Sequence, residues 1–418
     1  MNLRSALFAV VIGVLFAGVA SADSVEILRT DDRLTTHFAA ESGIHTLTMH
    51  PVAHPADERF RAWRSTDDEA LLVERAGRYT GVMIDGSRTF RIRPTTTGHE
   101  LTRVARRASL ECLTPDAAAL PPLEIAKSAP RKAAGTATIE VLVVYTPKAA
   151  AAVEDIEAEI ALAAEQANAS YVDSGVFQRL HIAATRQVEY GETGLLAVDL
   201  AALTWKNEGV MDEVHAWREE AGADLVALIV SDGGKFCGSS NIMSTLSLDF
   251  AAQAFSVIAL DCAVSQFSFV HELGHLMGAR HDVHSDDTTG APFDFNHGHI
   301  LTEARRRTIM AFDNFCTGEG YVCPRLGRWS DPTATYEEEA LGDAATADNV
   351  RTLNATAPYV SNFHEGVLPA DDDDDDDGDD DTGDDDVPDD DNGDDDAAAN
   401  DDVGGDDDEG DGGAGCGC

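Results

Sequence analysis

The spacing of hydrophobic positions changes near residue 136. Upstream, short runs such as HTLTMH and YTGVMIDGSRTFRIRP alternate apolar and polar residues, and the dipeptide DG separates two of these runs. A period of two is typical of β-strands that bury one face, and DG favours a hairpin turn between them. Residues 23–135 are therefore predicted to form a small β-rich domain that ends in an exposed linker rich in Pro and Ala.

Downstream of residue 136, continuous β-branched runs alternate with helical patterns. IEVLVVYTP and ADLVALIVS predict buried strands. The alanine-rich stretch from Lys148 predicts one long helix that ends before Gly175, and residues 345–363 predict a final helix with Pro358 as a local disturbance. Strands that alternate with helices indicate an α/β layered domain.

Composition separates two terminal segments from these domains. Residues 1–22 combine an early arginine, a short apolar run and small residues before Asp23, a pattern typical of a cleaved export signal. After residue 370 the chain carries 25 Asp and one Glu but no Lys or Arg. Such a tail cannot bury enough apolar surface to order itself, so it is predicted to be disordered. The expected organisation is a signal peptide (1–22), a β-rich segment (23–135), an α/β domain (136–364) and an acidic tail (365–418).

Charge and apolar content limit the partners and the location. The formal net charge is −46, which excludes nucleic-acid binding as the function. No run of 18 or more apolar residues occurs, so no transmembrane span is predicted. We expect a monomer secreted to the extracellular space or the periplasm.

The seven cysteines suit an oxidising compartment. The short loop between Cys316 and Cys323 favours a disulfide bond there, which leaves Cys237 to pair with Cys262. Cys112, far upstream, is then the odd thiol.

The stretch HELGHLMGARHD contains a set of residues whose spacing suits a metal site. On a helix, His271 and His275 lie within about 40° of one another, and Glu272 is turned by about 100° from His271. Gly278 can adopt the left-handed conformation that ends the helix, so His281 can return to complete a three-nitrogen site. Three neutral imidazoles with an open fourth position are typical of catalytic zinc, and Glu272 is placed to act as a general base on the attacking water.

This motif, followed by Met310 in RTIMAF, resembles the metzincins, whose zinc helix extends to a third histidine and is underlain by a methionine turn. Asp282 makes it most similar to the reprolysin branch, which includes the adamalysins. IEVLVVYTP, GADLVALIVSDGG and ADNVRTLNATAPYVSNF also resemble bacterial secreted peptidyl-Asp metalloendopeptidases. The resemblance covers residues 136–363.

The resemblance implies a zincin of the metzincin type in the α/β (α+β) class. In this fold a twisted mixed β-sheet and long helices enclose a zinc cleft between two lobes, and a small β-rich propeptide precedes it. Carried over by position, the resemblance implies one zinc ion held by His271, His275 and His281, with Glu272 as general base, Met310 beneath the metal, and Asp282 and Gly278 as supports. Phe312 stands where some metzincins have a tyrosine, so the oxyanion must be stabilised by zinc and other donors.

Cys112 has two interpretations. A thiolate is a strong zinc ligand, and propeptides of several metzincins close the open position with one cysteine. The usual Pro-Arg-Cys-Gly context is absent here. Cys112 is therefore either a cysteine switch, or an incidental thiol or one bonded to the tail.

Residues Arg305–Arg307 precede the methionine turn, which borders the pocket for the residue after the cut in metzincins. A guanidinium that points inward would select Asp or Glu at that position. A solvated surface cluster is the alternative, as it is for most charge runs.

The acidic tail and its end also have alternatives. Five acidic and glycine positions from Asp373 match the spacing of a calcium-binding loop, but any poly-Asp run with a glycine does so, and an acidic spacer is the alternative to Ca²⁺ binding. Cys416 and Cys418 either attach the protein to the cell surface or pair with each other.

Together these features predict a secreted zinc-dependent endopeptidase, made as a zymogen, that acts on protein or peptide substrates and prefers Asp or Glu after the cut. A nearer alternative is the same enzyme without acid preference. An alternative from another class is a catalytically silent metzincin-fold surface protein that uses the tail to bind cations or surfaces. The complete set of ligands and the general base argue against that alternative.

Overall fold

The computed structural model describes residues 25–30, 33–40, 43–85, 88–104 and 137–364. The predicted signal peptide, the linker with Cys112, and the acidic tail with Cys416 and Cys418 lie outside the described residues.

An antiparallel sheet of eight strands comes first in the chain. Each strand pairs with the next one in the chain. In the hairpin predicted around DG, Asp85 pairs with Arg88. The side chains of Trp63, Leu72 and Ile92 are buried in its core. We call it the N-terminal sheet; its strands are β1 (Val25–Thr30), β2 (Arg33–Ala40), β3 (Gly43–Pro51), β4 (Arg61–Ser65), β5 (Ala70–Arg75), β6 (Arg78–Asp85), β7 (Arg88–Pro94) and β8 (His99–Arg103).

A second sheet has five strands in the order β10-β9-β11-β13-β12. The first four are parallel, and the short strand β12 pairs antiparallel with β13 at one edge. This mixed sheet agrees with the layered α/β domain predicted from the alternating pattern. Its strands are β9 (Thr138–Tyr145), β10 (Arg179–Gln187), β11 (Leu225–Val230), β12 (Gly238–Ser240) and β13 (Phe255–Ala259).

Eight α-helices and one 3-10 helix (Leu248–Gln253) lie in the described part of the chain after residue 136, together with two small two-stranded ribbons. None of the described helices is long and apolar enough to cross a membrane. The helices are α1 (Pro147–Ala152), α2 (Ile156–Ser174), α3 (Leu196–Thr204), α4 (Asp212–Ala221), α5 (Leu260–Ala263), α6 (Ser268–Leu276), α7 (Asn314–Gly318) and α8 (Asn349–Val360). The ribbon strands are β14 (Ile300–Leu301), β15 (Arg306–Arg307), β16 (Thr335–Tyr336) and β17 (Glu339–Ala340).

Two helix predictions were wrong in their bounds. The single long helix expected after residue 148 is two helices, because Val153 is extended and the Asp155 side chain accepts a hydrogen bond from Ala158 N, which starts α2 anew. Helix α8 begins at Asn349 rather than at 345, because Asp348 caps it in the same way through Arg351 N. Pro358 lies inside α8, as predicted.

Helix α2 lies between the N-terminal sheet and the second sheet. It contacts β5 on one side and β10 and α6 on the other, and almost its whole length is buried. Apolar residues of the N-terminal sheet, such as Leu71 and Val82, belong to the same core as Leu162. Buried charge accompanies this packing, since Glu159 of α2 pairs with Arg91 and Arg93.

Candidate metal centre

Helix α6 carries the first part of the histidine motif. All nine of its residues are buried, and it ends because Gly278 takes a left-handed φ of 86°. The backbone N–H of Ala279 then donates to Gly274 O at 2.9 Å, which closes the helix end. The chain turns back at this point, as the sequence predicts.

The turn brings His271, His275 and His281 together. Each is at most 2% exposed, and the three side chains offer nitrogen atoms that all lie within 4.8 Å of one another. His275 Nε2 and His281 Nε2 are 3.0 Å apart. A cluster of imidazole nitrogens at this spacing, sealed from bulk water, matches the donor set of a zinc site.

Backbone carbonyls orient two of the three rings. Ile309 O lies 2.9 Å from His271 Nδ1, and Ala279 O lies 2.9 Å from His275 Nδ1. Each Nδ1–H can therefore donate to a carbonyl, which leaves the Nε2 lone pair for a metal. His271 Nε2 is buried and has no hydrogen-bond partner among the described residues, an orphaned position that a bound cation would satisfy. The residues present therefore fit zinc.

Burial also keeps the imidazole rings of His271 and His275 neutral. It lowers the pKa of His275 to about 4 and that of His271 well below its usual value. The positive charge of Arg325 lowers both pKa values further. A neutral imidazole is the form that binds a metal, so the site is prepared for metal at neutral pH.

The carboxylate of Glu272 is buried against the edge strand β12. Only 1% of the residue is exposed, and Ser240 Oγ donates a hydrogen bond to Glu272 Oε2 at 2.7 Å. A Cβ atom added at Gly238 would lie 2.1 Å from Glu272 Oε1. The strand therefore leaves room for this carboxylate only because position 238 has no side chain.

Met310 lies under the zinc helix. A Cβ atom added at Gly274 would come within 2.9 Å of Met310 Sδ and 2.9 Å of Trp329 Cη2. Asp282 Oδ2 accepts a hydrogen bond from Phe312 N at 2.8 Å, and the Phe312 ring lies 3.9 Å from that of His281. The segment around Met310, which we call the methionine turn (residues 309–312), is thus tied to the third histidine.

Comparison with known proteins identifies the kind of enzyme. The family model Reprolysin_5, which is described as metallopeptidase family M12, matches residues 135–319. A peptidyl-Asp metalloendopeptidase of Xanthomonas campestris is 33% identical over 359 residues, 82% of this chain and 83% of that protein. One of Stenotrophomonas maltophilia is 33% identical over 74% of this chain and 75% of that protein. This chain belongs to the family of the peptidyl-Asp metalloendopeptidases. It is a zinc metalloendopeptidase, which confirms the family resemblance of the motif.

A solved structure shares a more distant likeness with this metallopeptidase. Metalloproteinase-II from Bacteroides fragilis matches with a TM-score of 0.39 and 14% identity, over 59% of this chain and 81% of that one. A likeness at this TM-score adds nothing to the family assignment.

Two disulfide bonds brace the metallopeptidase around its centre. Cys237 pairs with Cys262, and Cys316 pairs with Cys323, the pairing favoured from the sequence. The first bond joins the residue before β12 to α5, which precedes the zinc helix. The second closes the segment that follows the methionine turn.

Several residues near the centre carry no local sequence signal. Gly238, Ser240 and Trp329 reach it only through the register of the sheet and the packing of α2. His297 is 1% exposed, and its ring nitrogens lie 2.7 Å from His281 O and 2.9 Å from Thr288 O. It therefore braces the segment that carries the third histidine.

The arginine cluster of the metallopeptidase divides into different environments. Arg305 is exposed, with its guanidinium 4.9 Å from the Tyr321 ring. Arg307 instead donates to Ala311 O at 2.7 Å and to Cys323 O at 2.8 Å, so it reaches the methionine turn. The cluster is not uniformly solvated.

Proposed function

We propose that His271, His275 and His281 hold the catalytic zinc and that Glu272 is the general base of peptide-bond hydrolysis. The observation that carries this proposal is the sealed nitrogen cluster with its orphaned His271 Nε2. Zinc, when bound, supplies a Lewis acid that polarises the scissile carbonyl and lowers the pKa of water.

The residues of the chain perform the proton transfers and the positioning. Glu272 takes a proton from the attacking water and delivers it to the amine nitrogen as the C–N bond breaks. Ser240 Oγ donates a hydrogen bond to Glu272 Oε2, which positions the carboxylate for this exchange. Met310 and Asp282 support the histidines from below and from the side, in the metzincin manner.

The edge strand β12 gives the substrate a place to bind. It is the last strand of the second sheet, so one of its edges does not pair within that sheet. An extended peptide can add to such an edge through backbone hydrogen bonds, and Glu272 lies directly beside it. We propose that the zinc cleft lies at this edge, between two lobes of a metzincin-type domain.

The names of the relatives refer to peptidyl-Asp bonds, and we extend a preference for Asp to this chain. We place the acidic residue directly after the cut. The chain is proposed to be secreted and made as a zymogen, with residues 1–22 as signal peptide and 23–135 as propeptide. The two disulfide bonds suit an oxidising compartment. Protein and peptide substrates are the expected partners.

The test uses residues 23–418 and the variant Glu272→Gln. Both proteins are expected to bind one zinc ion, and the variant should lose casein cleavage by a factor of about 100 to 10,000, because only the general base is removed. Glu319→Gln, an exposed glutamate in the same domain, is the matched control and should retain full activity. Full zinc content without cleavage, in the unsubstituted protein freed of its N-terminal segment, would refute the proposal.

A further inference from the structure

We propose that Arg325, with Arg307 beside it, binds the acidic side chain of the residue that follows the cleaved bond. This inference rests on the proposed function, because it names the residues behind the preference for Asp. Arg325 lies outside the arginine cluster that the sequence brings to attention.

The guanidinium of Arg325 connects the two segments that enclose the metal centre. Its Nη1 donates to Gln266 O at 2.5 Å, two residues before the zinc helix begins. Its Nη2 lies 3.3 Å from Ala311 O, in the methionine turn directly after Met310. A positive group therefore stands at the side of the centre where the methionine turn passes.

Arg307 brings a second positive charge to the same place. Its Nη1 donates to Ala311 O at 2.7 Å, so two guanidinium groups meet at one carbonyl oxygen. The backbones of Arg307 and Arg325 also form a parallel bridge, which fixes the two side chains next to each other. Both residues are half-buried.

A carboxylate is the ligand that suits such a pair. Two adjacent guanidinium groups repel each other, and a carboxylate with two oxygens can accept hydrogen bonds from both. An amide of the same shape relieves no repulsion, and an alanine makes none of these bonds. The arrangement therefore selects an acidic side chain by charge, in a partly dry place where charge-assisted bonds are strong.

The other arginines nearby do not share this position. Arg305 is exposed and lies over Tyr321, and Arg306 donates to the neighbouring Arg305 O at 3.2 Å. Arg305 is therefore the matched control, a cation close in sequence but away from the methionine turn.

The test compares peptides that differ only in the residue after the cut, which is Asp, Asn or Ala. For the unsubstituted enzyme, kcat/KM for the Asp peptide should exceed that for the Asn peptide. Arg325→Gln should lower this Asp-to-Asn ratio by at least about 30-fold, as expected when one partner of a desolvated charge pair is removed. Because both peptides are cut by the same preparation, the ratio does not depend on the folded fraction.

Arg325→Lys should lower the ratio less, since it keeps the charge and loses the fork, and Arg305→Gln should leave it unchanged. Equal losses of kcat on all peptides in Arg325→Gln, with an unchanged ratio, would assign Arg325 a merely structural role and overturn the inference. If Arg325→Gln does not fold, an unchanged ratio in both Arg325→Lys and Arg307→Gln overturns it. An unsubstituted enzyme that cuts all three peptides equally would instead refute the preference for Asp in the proposed function.

Discussion

An alanine at position 238 should displace Glu272, the proposed general base, without dismantling the centre. Its methyl carbon would start 2.1 Å from Glu272 Oε1 and 2.3 Å from Cδ. Cβ atoms essentially never approach another heavy atom more closely than 3.0 Å, so the carboxylate must move by about 1 Å. Misplacement of a catalytic group by about 1 Å costs about 100-fold in rate, so Gly238→Ala should lower kcat/KM by about that factor.

The stability and the metal content should change little in this variant. The clash is with side-chain atoms of Glu272 rather than with backbone, and Gly238 does not have the left-handed backbone that would strain an alanine. The assay is kcat/KM on a peptide, with zinc content and thermal unfolding measured on the same preparation. Gly191→Ala is the control, because a Cβ there meets nothing within 4 Å. Wild-type kcat/KM in Gly238→Ala would refute the reasoning that the position of Glu272 beside β12 sets the rate.

Two further predictions concern the contacts of α2 with the N-terminal sheet. Burial raises the pKa of Glu165 from 4.5 to about 7, so the stability this group contributes is present below pH 4.5 and is lost as pH rises to about 7. Glu165→Gln should therefore raise the free energy of unfolding by up to about 3 kcal/mol at about pH 8 and leave it unchanged in acid, and equal urea midpoints at about pH 8 would contradict this. Arg91→Ala should lower the free energy of unfolding by about 3 kcal/mol, because it leaves Glu159 buried with Arg93 alone. Arg78→Ala, at the exposed pair with Glu154, should lower it by less than about 1 kcal/mol. If urea unfolding shows the same loss of stability in both variants, the buried pair contributes no more than the exposed one and the reasoning is wrong.

Local patterns predicted those parts of the fold in which residues close in sequence determine the outcome. The two-residue period predicted the β-rich start, and DG predicted the hairpin in which β6 pairs with β7. The bounds of the helices failed where a single capping side chain decided them, as at Asp155 and Asp348. A helical pattern that continues across a cap does not reveal that a new helix begins there.

The candidate site likewise has a part that local spacing predicts and a part that depends on contacts between distant residues. His271 and His275 lie about one turn of helix apart, so their spacing alone predicts that they share one face, with Glu272 about 100° round the helix. Ser240 is 32 residues from Glu272, and Arg325 is 59 residues from Gln266. Contacts of that range depend on which strand forms the sheet edge and on where the chain passes after the methionine turn, and neither can be derived from the spacing of residues.

Much of the support of the centre comes from backbone atoms, and this is a second reason why the sequence does not predict it. Ile309 O orients His271, and Ala279 O orients His275. Any residue type has such a carbonyl, so the identities at 309 and 279 carry no mark of these roles. What the sequence must supply is the path of the chain, and it does so through small residues: Gly278 permits the turn, and Gly274 admits Met310 beneath the helix. The histidines can thus be recognised by type, whereas the groups that orient them can be recognised only by their positions in space.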